Sequence, residues 1–284
     1  MQLPLVFLDG PWRLAMGLNA LDLDDWLWRD DRFAEDRAER IRLLAAHPDQ
    51  VHAMLPEAEG AAQELLATVQ DWLRARDLPA DVEPAEAPLA ALAPLAQEDF
   101  CLMERNANGL YALTGAILCF PAHWKLREKL GRPMREIHAP VPGFGDRLAQ
   151  PTERFFTSLQ VDRPVWRANW SITDSPDLFQ PGSGGSVPGL DAENAGELLW
   201  LRVERQTLRR LPETKAIVFT IRTFVRRMDE VAHMPGVAPA LAARLDEVEP
   251  GMAAYKRFTT VRQPLLAYLA ALQGGEPAAG QRVA

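Results

Sequence analysis

The feature that most constrains this fold is a pair of strand-like apolar runs that a turn sequence joins. Residues 100–104 and 110–120 are both rich in apolar side chains, and residues 106–109 between them read Asn-Ala-Asn-Gly. Asn and Gly tolerate the left-handed backbone that tight β-turns require, so this spacing predicts an antiparallel hairpin. The rest of the chain must extend or cover that pair of strands.

The order of the remaining segments predicts an α+β fold around one central antiparallel sheet. Residues 20–77 have helical spacing, at 22–46 and again at 63–76, and the proline-containing stretch 80–94 follows as an extended connector. Further strands are expected at 165–172, 198–204 and 216–224, and further helices at 123–130, 146–159, 240–248 and 252–272. We also expect a surface loop at 180–189 and a polar tail at the end of the chain.

A single domain is expected over residues 1–284, because 48% hydrophobic residues can fill one large core in a chain of this length. Within it, residues 1–80 are predicted to form a helical N-terminal arm, residues 97–225 the core, and residues 226–284 a set of C-terminal helices. This division places all the predicted strands in the middle of the chain.

Composition excludes several classes of protein. The net charge of -8 and the pI near 5.3 argue against nucleic acid or an anionic membrane as the main partner. The N-terminus has no positively charged region before its short apolar stretch, and no long apolar run follows, which predicts a cytoplasmic protein. Cys101 and Cys119 stand in apolar runs without ligand spacing, so we expect two buried free thiols.

Common catalytic motifs are absent from the sequence. It contains no G-x-G-x-x-G after a strand, no G-x-x-x-x-G-K-[ST], no G-x-S-x-G and no H-E-x-x-H. The five histidines do not cluster with cysteines or carboxylates at metal-ligand spacing. Nucleotide-binding, hydrolase and zinc-site interpretations therefore lose support.

His138 is the histidine best suited to holding a metal. It lies in a loop that Pro140 and Pro142 stiffen, and fixed φ angles lower the entropy cost of holding a side chain in one direction. The alternative is that His138 only bonds a neighbouring backbone group, and spacing alone leaves both interpretations open. His123, beside Trp124 at the start of a predicted helix, is the weaker candidate.

Arginines on otherwise apolar strands are the second unusual feature. Arg167, Arg205 and Arg222 all fall in or beside predicted strands whose other residues should be buried. A half-buried guanidinium needs an anion, which can be a carboxylate of the protein or of a ligand. The internal alternative is pairing with one of three acidic residues, namely Glu204, Asp99 or Glu98.

Five pieces of sequence, in chain order, carry a resemblance to a known family. They are residues 97–102 (QEDFCL), 120–131 (beginning FPAHW and ending EKLG), 137–142 (IHAPVP), 167–170 (RANW) and 204–208 (ERQTL) with its sequel Arg222. Together they span residues 97–225, and in combination they resemble the haem-dependent oxidative N-demethylases and their uncharacterised relatives. The segments before and after match that family only in general character.

The resemblance implies a PAS-like fold that encloses haem b, with His138 as the axial ligand. The implied activity is O2-dependent removal of a methyl group, as formaldehyde, from a small secondary amine such as dimethylamine. Because the sequence has no flavin, nicotinamide or iron–sulfur motif, a separate reductase would have to supply the electrons.

Roles for other residues follow from the same resemblance. Glu204 is the implied distal carboxylate that pairs with an ammonium substrate, and Trp170 or Phe224 would line the haem face. The implied partners of the haem propionates are Arg167, Arg205 and Arg222.

Two other functions are compatible with the same residues. The first is a haem-based or ligand-binding PAS-like sensor, although only helices and a tail follow residue 225 and no output domain is visible there. The second is a non-catalytic protein in which the arginines and carboxylates form a buried ionic network and His138 is an ordinary loop residue. A haem absorption spectrum separates the second function from the other two.

Overall fold

A seven-stranded sheet forms the centre of the computed structural model, which describes residues 3–82, 87–182 and 187–274. The strands are β1 (Asn19–Ala20), β2 (His52–Met54), β3 (Asp99–Arg105), β4 (Tyr111–Ile117), β5 (Val165–Thr173), β6 (Trp200–Arg210) and β7 (Ile217–Arg227). Their order across the sheet is β1-β5-β6-β7-β3-β4-β2, and all neighbouring pairs are antiparallel. The predicted α+β class with an antiparallel sheet is confirmed.

Helices cover both faces of this sheet. Within the described ranges the α-helices are α1 (Phe33–Ala46), α2 (Pro48–Val51), α3 (Glu59–Arg74), α4 (Leu126–Lys129), α5 (Met134–Ile137), α6 (Ala149–Ser158), α7 (Ala195–Leu198), α8 (Met228–Ala232), α9 (Val237–Glu247), α10 (Pro250–Tyr255) and α11 (Phe258–Gly274). A π-helical turn, Phe144–Leu148, leads into α6, and short 3-10 turns occur at Val6–Leu8, Leu23–Asp25, Pro56–Ala58 and Ala90–Leu92.

The predicted hairpin is confirmed as β3 and β4. Asn106 Oδ1 accepts hydrogen bonds from the N–H groups of Asn108 at 3.0 Å and Leu110 at 3.1 Å, which closes the turn. Gly109 has a φ of +75°, a conformation that favours glycine. The turn therefore forms because Asn supplies a local acceptor and Gly supplies the backbone freedom.

The N-terminal segment is part of the sheet rather than only a helical arm. β1 pairs with β5 at one edge and β2 pairs with β4 at the other, and neither short strand was predicted. The helix expected at 22–46 begins only at Phe33, and the helix expected at 252–272 is divided into α10 and α11.

Three expected irregular segments lie partly or wholly outside the described residues. In the expected connector 80–94, residues 83–86 lie outside the described residues. The later part of this segment is not extended, because it contains the buried 3-10 turn Ala90–Leu92. The loop 180–189 loses residues 183–186, and the tail after 274 lies wholly outside.

The two faces of the sheet pack against different helices. One face, which carries Phe100, Val203 and Phe224, packs on the N-terminal and C-terminal helices. The opposite face, which carries Cys101 and Leu208, packs on the helices inserted between β4 and β5. Cys101 and the other cysteine, Cys119, are buried free thiols, as predicted.

Candidate functional site

His138 directly follows helix α5, and its side chain is a neutral imidazole. Its Nδ1 lies 3.0 Å from the carbonyl oxygen of Met134, and its ring stacks on Phe144 with 4.6 Å between ring centroids. A carbonyl can only accept, so Nδ1 carries the proton and Nε2 keeps a free lone pair. Burial lowers the pKa of His138 to about 4, with the charges of Lys129 and Arg167 adding to that effect.

The hydrogen bond from His138 to Met134 is compatible with both interpretations of His138 that the sequence left open. It is the backbone contact that an ordinary loop histidine makes. It is also the type of outer contact that fixes the tautomer and orientation of a metal-ligating imidazole, with Nε2 directed away.

Arg167 and Glu204 lie on the sheet face that packs on the inserted helices. In the register of β5 and β6, Arg167 is opposite Gln206 and Asn169 is opposite Glu204. Because side chains alternate along a strand, these four residues project from the same face as Leu208, which packs against the inserted helices. The structure therefore brings together three of the predicted site residues, namely His138, Arg167 and Glu204.

Arg167 has the least satisfied guanidinium of this group. Its Nε is buried and has no hydrogen-bond partner among the described residues. Burial lowers the pKa of Arg167, and the charge of Glu204 opposes that effect. A buried donor without a partner costs about 1–3 kcal/mol, so this position favours an added acceptor.

Glu204 is a carboxylate surrounded by several lysine and arginine side chains. Gln206 Nε2 donates to Glu204 Oε2 at 3.1 Å, and Arg202 Nε lies 3.5 Å from Oε1. The charge of Glu204 also raises the pKa values of Lys129 and Lys256 against the lowering caused by their burial. Lys129 and Lys256 therefore lie within electrostatic reach of Glu204.

Lys256 is held at the edge of β5 by two acceptors. Its Nζ donates to the carbonyl oxygen of Trp170 at 2.6 Å and to Asn169 Oδ1 at 3.1 Å. Burial lowers the pKa of Lys256 to about 8. The ammonium group therefore remains protonated at neutral pH but loses its proton more easily than an exposed lysine does. The cluster then contains four cations, Arg167, Arg202, Lys129 and Lys256, and one carboxylate, Glu204.

Arg205 and Arg222 lie on the other face of the sheet. They are opposite each other in the β6–β7 register, and Arg205 immediately follows Glu204, so its side chain projects the other way. Arg205 Nη2 lies 3.1 Å from Asp25 Oδ2, and Arg222 Nη2 lies 2.8 Å from Asp30 Oδ2. Both guanidinium groups thus pair internally, with carboxylates of the N-terminal segment rather than with Glu204, Asp99 or Glu98.

Trp170 also projects away from Glu204. Its ring stacks on Phe258 at 5.3 Å and meets the edge of Phe7 at 5.5 Å, within the core under the C-terminal helices. Phe224 belongs to the same core. Trp170 contacts the site through its carbonyl group, which holds Lys256.

Sequence reasoning missed Lys129, Arg202 and Lys256 as members of this cluster. Lys256 and Arg257 form the break between α10 and α11, where Arg257 has a φ of +60°. No Gly or Pro marks that break, and no local signal directs Lys256 toward β5. Arg202 shares the face of Glu204 two positions away, a relationship that strand alternation could have revealed.

A model of the family described as haem-dependent oxidative N-demethylase, alpha subunit-like, matches residues 17–80 and 74–266. The chain belongs to this family. The oxidative N-demethylase-like family is associated with haem by its description, and the words "alpha subunit" imply at least one further subunit. The match extends beyond residues 97–225 and includes most of the N-terminal segment and the C-terminal helices.

The described residues of this N-demethylase-like chain limit how it could hold a metal ion. Among them, no group of three or more His, Cys, Asp or Glu side chains could hold a metal ion. A haem iron needs few protein ligands because the macrocycle supplies the others, and one histidine is a common axial arrangement. In the same parts of the chain, no helix is both long enough and apolar enough to cross a membrane.

Proposed function

We propose that this chain is the haem-carrying subunit of an oxidative N-demethylase, with haem b between the inserted helices and the sheet face that carries Glu204. Its substrate would be a small secondary amine such as dimethylamine, with O2 as oxidant and a separate reductase as electron source. The observation that carries the proposal is the neutral His138, whose Nδ1 is bonded to Met134 O and whose charged neighbours include Lys129 and Arg167, in a chain of this family.

The residues present fit a haem in two respects. His138 has the tautomer and orientation that an axial ligand requires, because Nδ1 is occupied by Met134 O. The excess of cations over carboxylates, with Arg167 Nε left without a partner among the described residues, suits two propionate groups. We therefore assign propionate binding to Arg167 and Lys256, and a structural role to the internally paired Arg205 and Arg222.

The PAS-like assignment is part of this proposal. The five strands predicted from sequence form the centre of the sheet, and the helices inserted between the second and third of them cover one face. This arrangement is compatible with the PAS-like haem pocket that the family resemblance implies. The sensor interpretation is not favoured, because the matching family is described as similar to the alpha subunit of an enzyme.

Haem, when bound, supplies the O2 chemistry, and the protein supplies placement and proton handling. Glu204 would accept a hydrogen bond from the secondary ammonium and orient its methyl group. The carboxylate can also take the proton that the amine must lose before its nitrogen lone pair is available. Gln206 and Arg202 hold that carboxylate in place, and the Trp170 carbonyl acts indirectly by holding Lys256.

Absorption spectra test the cofactor assignment. Protein produced with a haem precursor should show a Soret band that shifts when dithionite is added. His138→Ala should lose haem or change its ferric spectrum, whereas the exposed control His233→Ala should not. Arg167→Leu should weaken haem binding on the order of tenfold, the value of one charge-assisted hydrogen bond. Unchanged haem content and spectrum in His138→Ala would refute the axial assignment.

Formaldehyde release tests the role of Glu204. With a reductase and dimethylamine, Glu204→Gln should retain haem but lose on the order of a hundredfold in rate, because general-base contributions are of that size. A Glu204→Gln variant with full activity would remove Glu204 from the proposed mechanism.

A further inference from the structure

A neutral side-chain amide, that of Asn169, lies beside the Glu204 carboxylate. Asn169 of β5 is directly opposite Glu204 of β6 in the strand register. By strand alternation both project from the face that carries Val165 and Leu208, which pack on the inserted helices. Residues directly opposite each other in an antiparallel pair have Cβ atoms about 4.5–5.5 Å apart. The amide and the carboxylate are therefore neighbours on one face of the sheet.

Lys256 determines which end of the Asn169 amide is free. Its Nζ donates to Asn169 Oδ1 at 3.1 Å and to the carbonyl oxygen of Trp170 at 2.6 Å. An ammonium group can only donate hydrogen bonds, so the oxygen end of the amide must face Lys256. The NH2 end is then left for an acceptor elsewhere.

The two N–H donors of this amide are available to a bound molecule. In the parts of the chain that the structure describes, the hydrogen bond accepted from Lys256 is the only one that the Asn169 side chain makes. Asn169 is only partly buried. Its amide nitrogen thus differs from Arg167 Nε, a fully buried atom without a partner in the same parts of the chain.

The amide and the carboxylate offer opposite hydrogen-bonding chemistry. Glu204 accepts, and Gln206 and Arg202 hold it in place. An ammonium substrate brings only donors, so it can bind Glu204 but not the NH2 group of Asn169. That group suits a second small molecule that accepts hydrogen bonds, and because the amide is neutral it adds no further charge to the cationic cluster.

We propose that Asn169 is the hydrogen-bond donor to the small acceptor molecule that the haem would bind on its sheet side, a class that includes O2. This inference rests on the proposed function, because it requires haem between His138 and the sheet. Hydrogen-bond donors on that side of a haem are one of the means by which a protein controls O2 binding. Lys256 is a positioning residue here, and its third N–H donor stays available for a propionate.

Fluoride titration of the ferric, haem-loaded chain tests this assignment, because fluoride binds ferric haem and accepts hydrogen bonds. Asn169→Leu keeps a similar size but removes both donors, so the fluoride Kd from absorption spectra should rise on the order of tenfold. Lys256→Met should raise it on the order of threefold, because the amide loses its fixed orientation. The matched control is Ser171→Ala, the next residue on the same face of β5, opposite Arg202, which should leave the constant unchanged.

The C–O stretching frequency of the ferrous carbon monoxide complex is a second readout. It should rise in Asn169→Leu, because no donor then polarises the bound molecule. If Asn169→Leu does not fold, Asn169→Ala removes the same donors and should give the same shifts.

Three outcomes would count against this role of Asn169. An unchanged fluoride Kd and C–O frequency in a haem-loaded variant at position 169 would overturn the inference and leave the proposed function standing. An equal rise in Ser171→Ala would also overturn it, because the effect would not belong to the amide. A chain that binds no haem at full haem supply would overturn the proposed function and this inference together.

Discussion

The charge state of His138 predicts a specific loss of stability in acid. Burial holds the pKa of His138 at about 4 in the folded chain, against an ordinary value of 6.5. The unfolded state therefore binds the extra proton first as pH falls. Stability that His138 contributes at neutral pH is lost progressively between pH 6.5 and pH 4.

The size of the effect follows from the two pKa values. At about pH 4.5 the difference in proton binding lowers the free energy of unfolding by at most about 2.5 kcal/mol relative to neutral pH. His138 is only half-buried, so solvent screening should reduce this to about 1–2 kcal/mol. A group with the ordinary pKa in both states would contribute nothing.

Urea unfolding of haem-free protein at both pH values measures this term. Other carboxylates and histidines also titrate in this range, so the informative quantity is the difference between wild type and His138→Gln at each pH. The advantage of wild type over the variant should shrink by about 1–2 kcal/mol on going to about pH 4.5. His233→Gln is the control, because His233 makes the same kind of bond, to Asp229 O, from an exposed position. A difference that is equal at both pH values would refute the argument that His138 is held neutral.

Two further predictions concern packing and the buried ion pair. Gly196→Ala should destabilise the fold by about 1–3 kcal/mol in urea unfolding, since its Cβ would lie 2.7 Å from the Tyr268 ring. Gly60→Ala in α3 meets only ordinary contacts and should be neutral or stabilising by about 0.5–1 kcal/mol. Arg40→Met should cost about 3–5 kcal/mol, because it leaves the buried Asp99 carboxylate without its cation. The double variant with Asp99→Asn should lose less than the sum of the single variants in the same assay, and strict additivity would contradict this account.

The long strands could be predicted from sequence because their signals are local. Apolar character along the strands and the Asn–Gly turn of residues 106–109 are present within the segment that folds. β1 and β2 have two and three residues, and they exist only because β5 and β4 offer unpaired edges from distant parts of the chain. The break before α11 likewise accompanies a long-range contact, since Lys256 at that break donates to two acceptors on β5.

The candidate site was predictable only as far as strand alternation could be applied. Alternation alone separates Glu204 from Arg205, because adjacent residues of one strand project to opposite faces. Placing Arg167 beside Glu204, and Arg222 beside Arg205, also requires the register of three strands, which the sequence does not display. That is why three arginines with similar surroundings in the sequence were assigned one role.

The different partners of these arginines follow from which segment covers each face. The N-terminal segment supplies Asp25 and Asp30 to Arg205 and Arg222, and these pairs fasten it across the sheet. The inserted helices bring His138 toward the other face, where one carboxylate, Glu204, is shared by Arg202 and several other cations. Arginines on one face therefore stabilise the fold through ion pairs, whereas on the other face Arg167 keeps a hydrogen-bond donor without a partner among the described residues. This asymmetry is the physical reason for placing the cofactor on the face of Glu204.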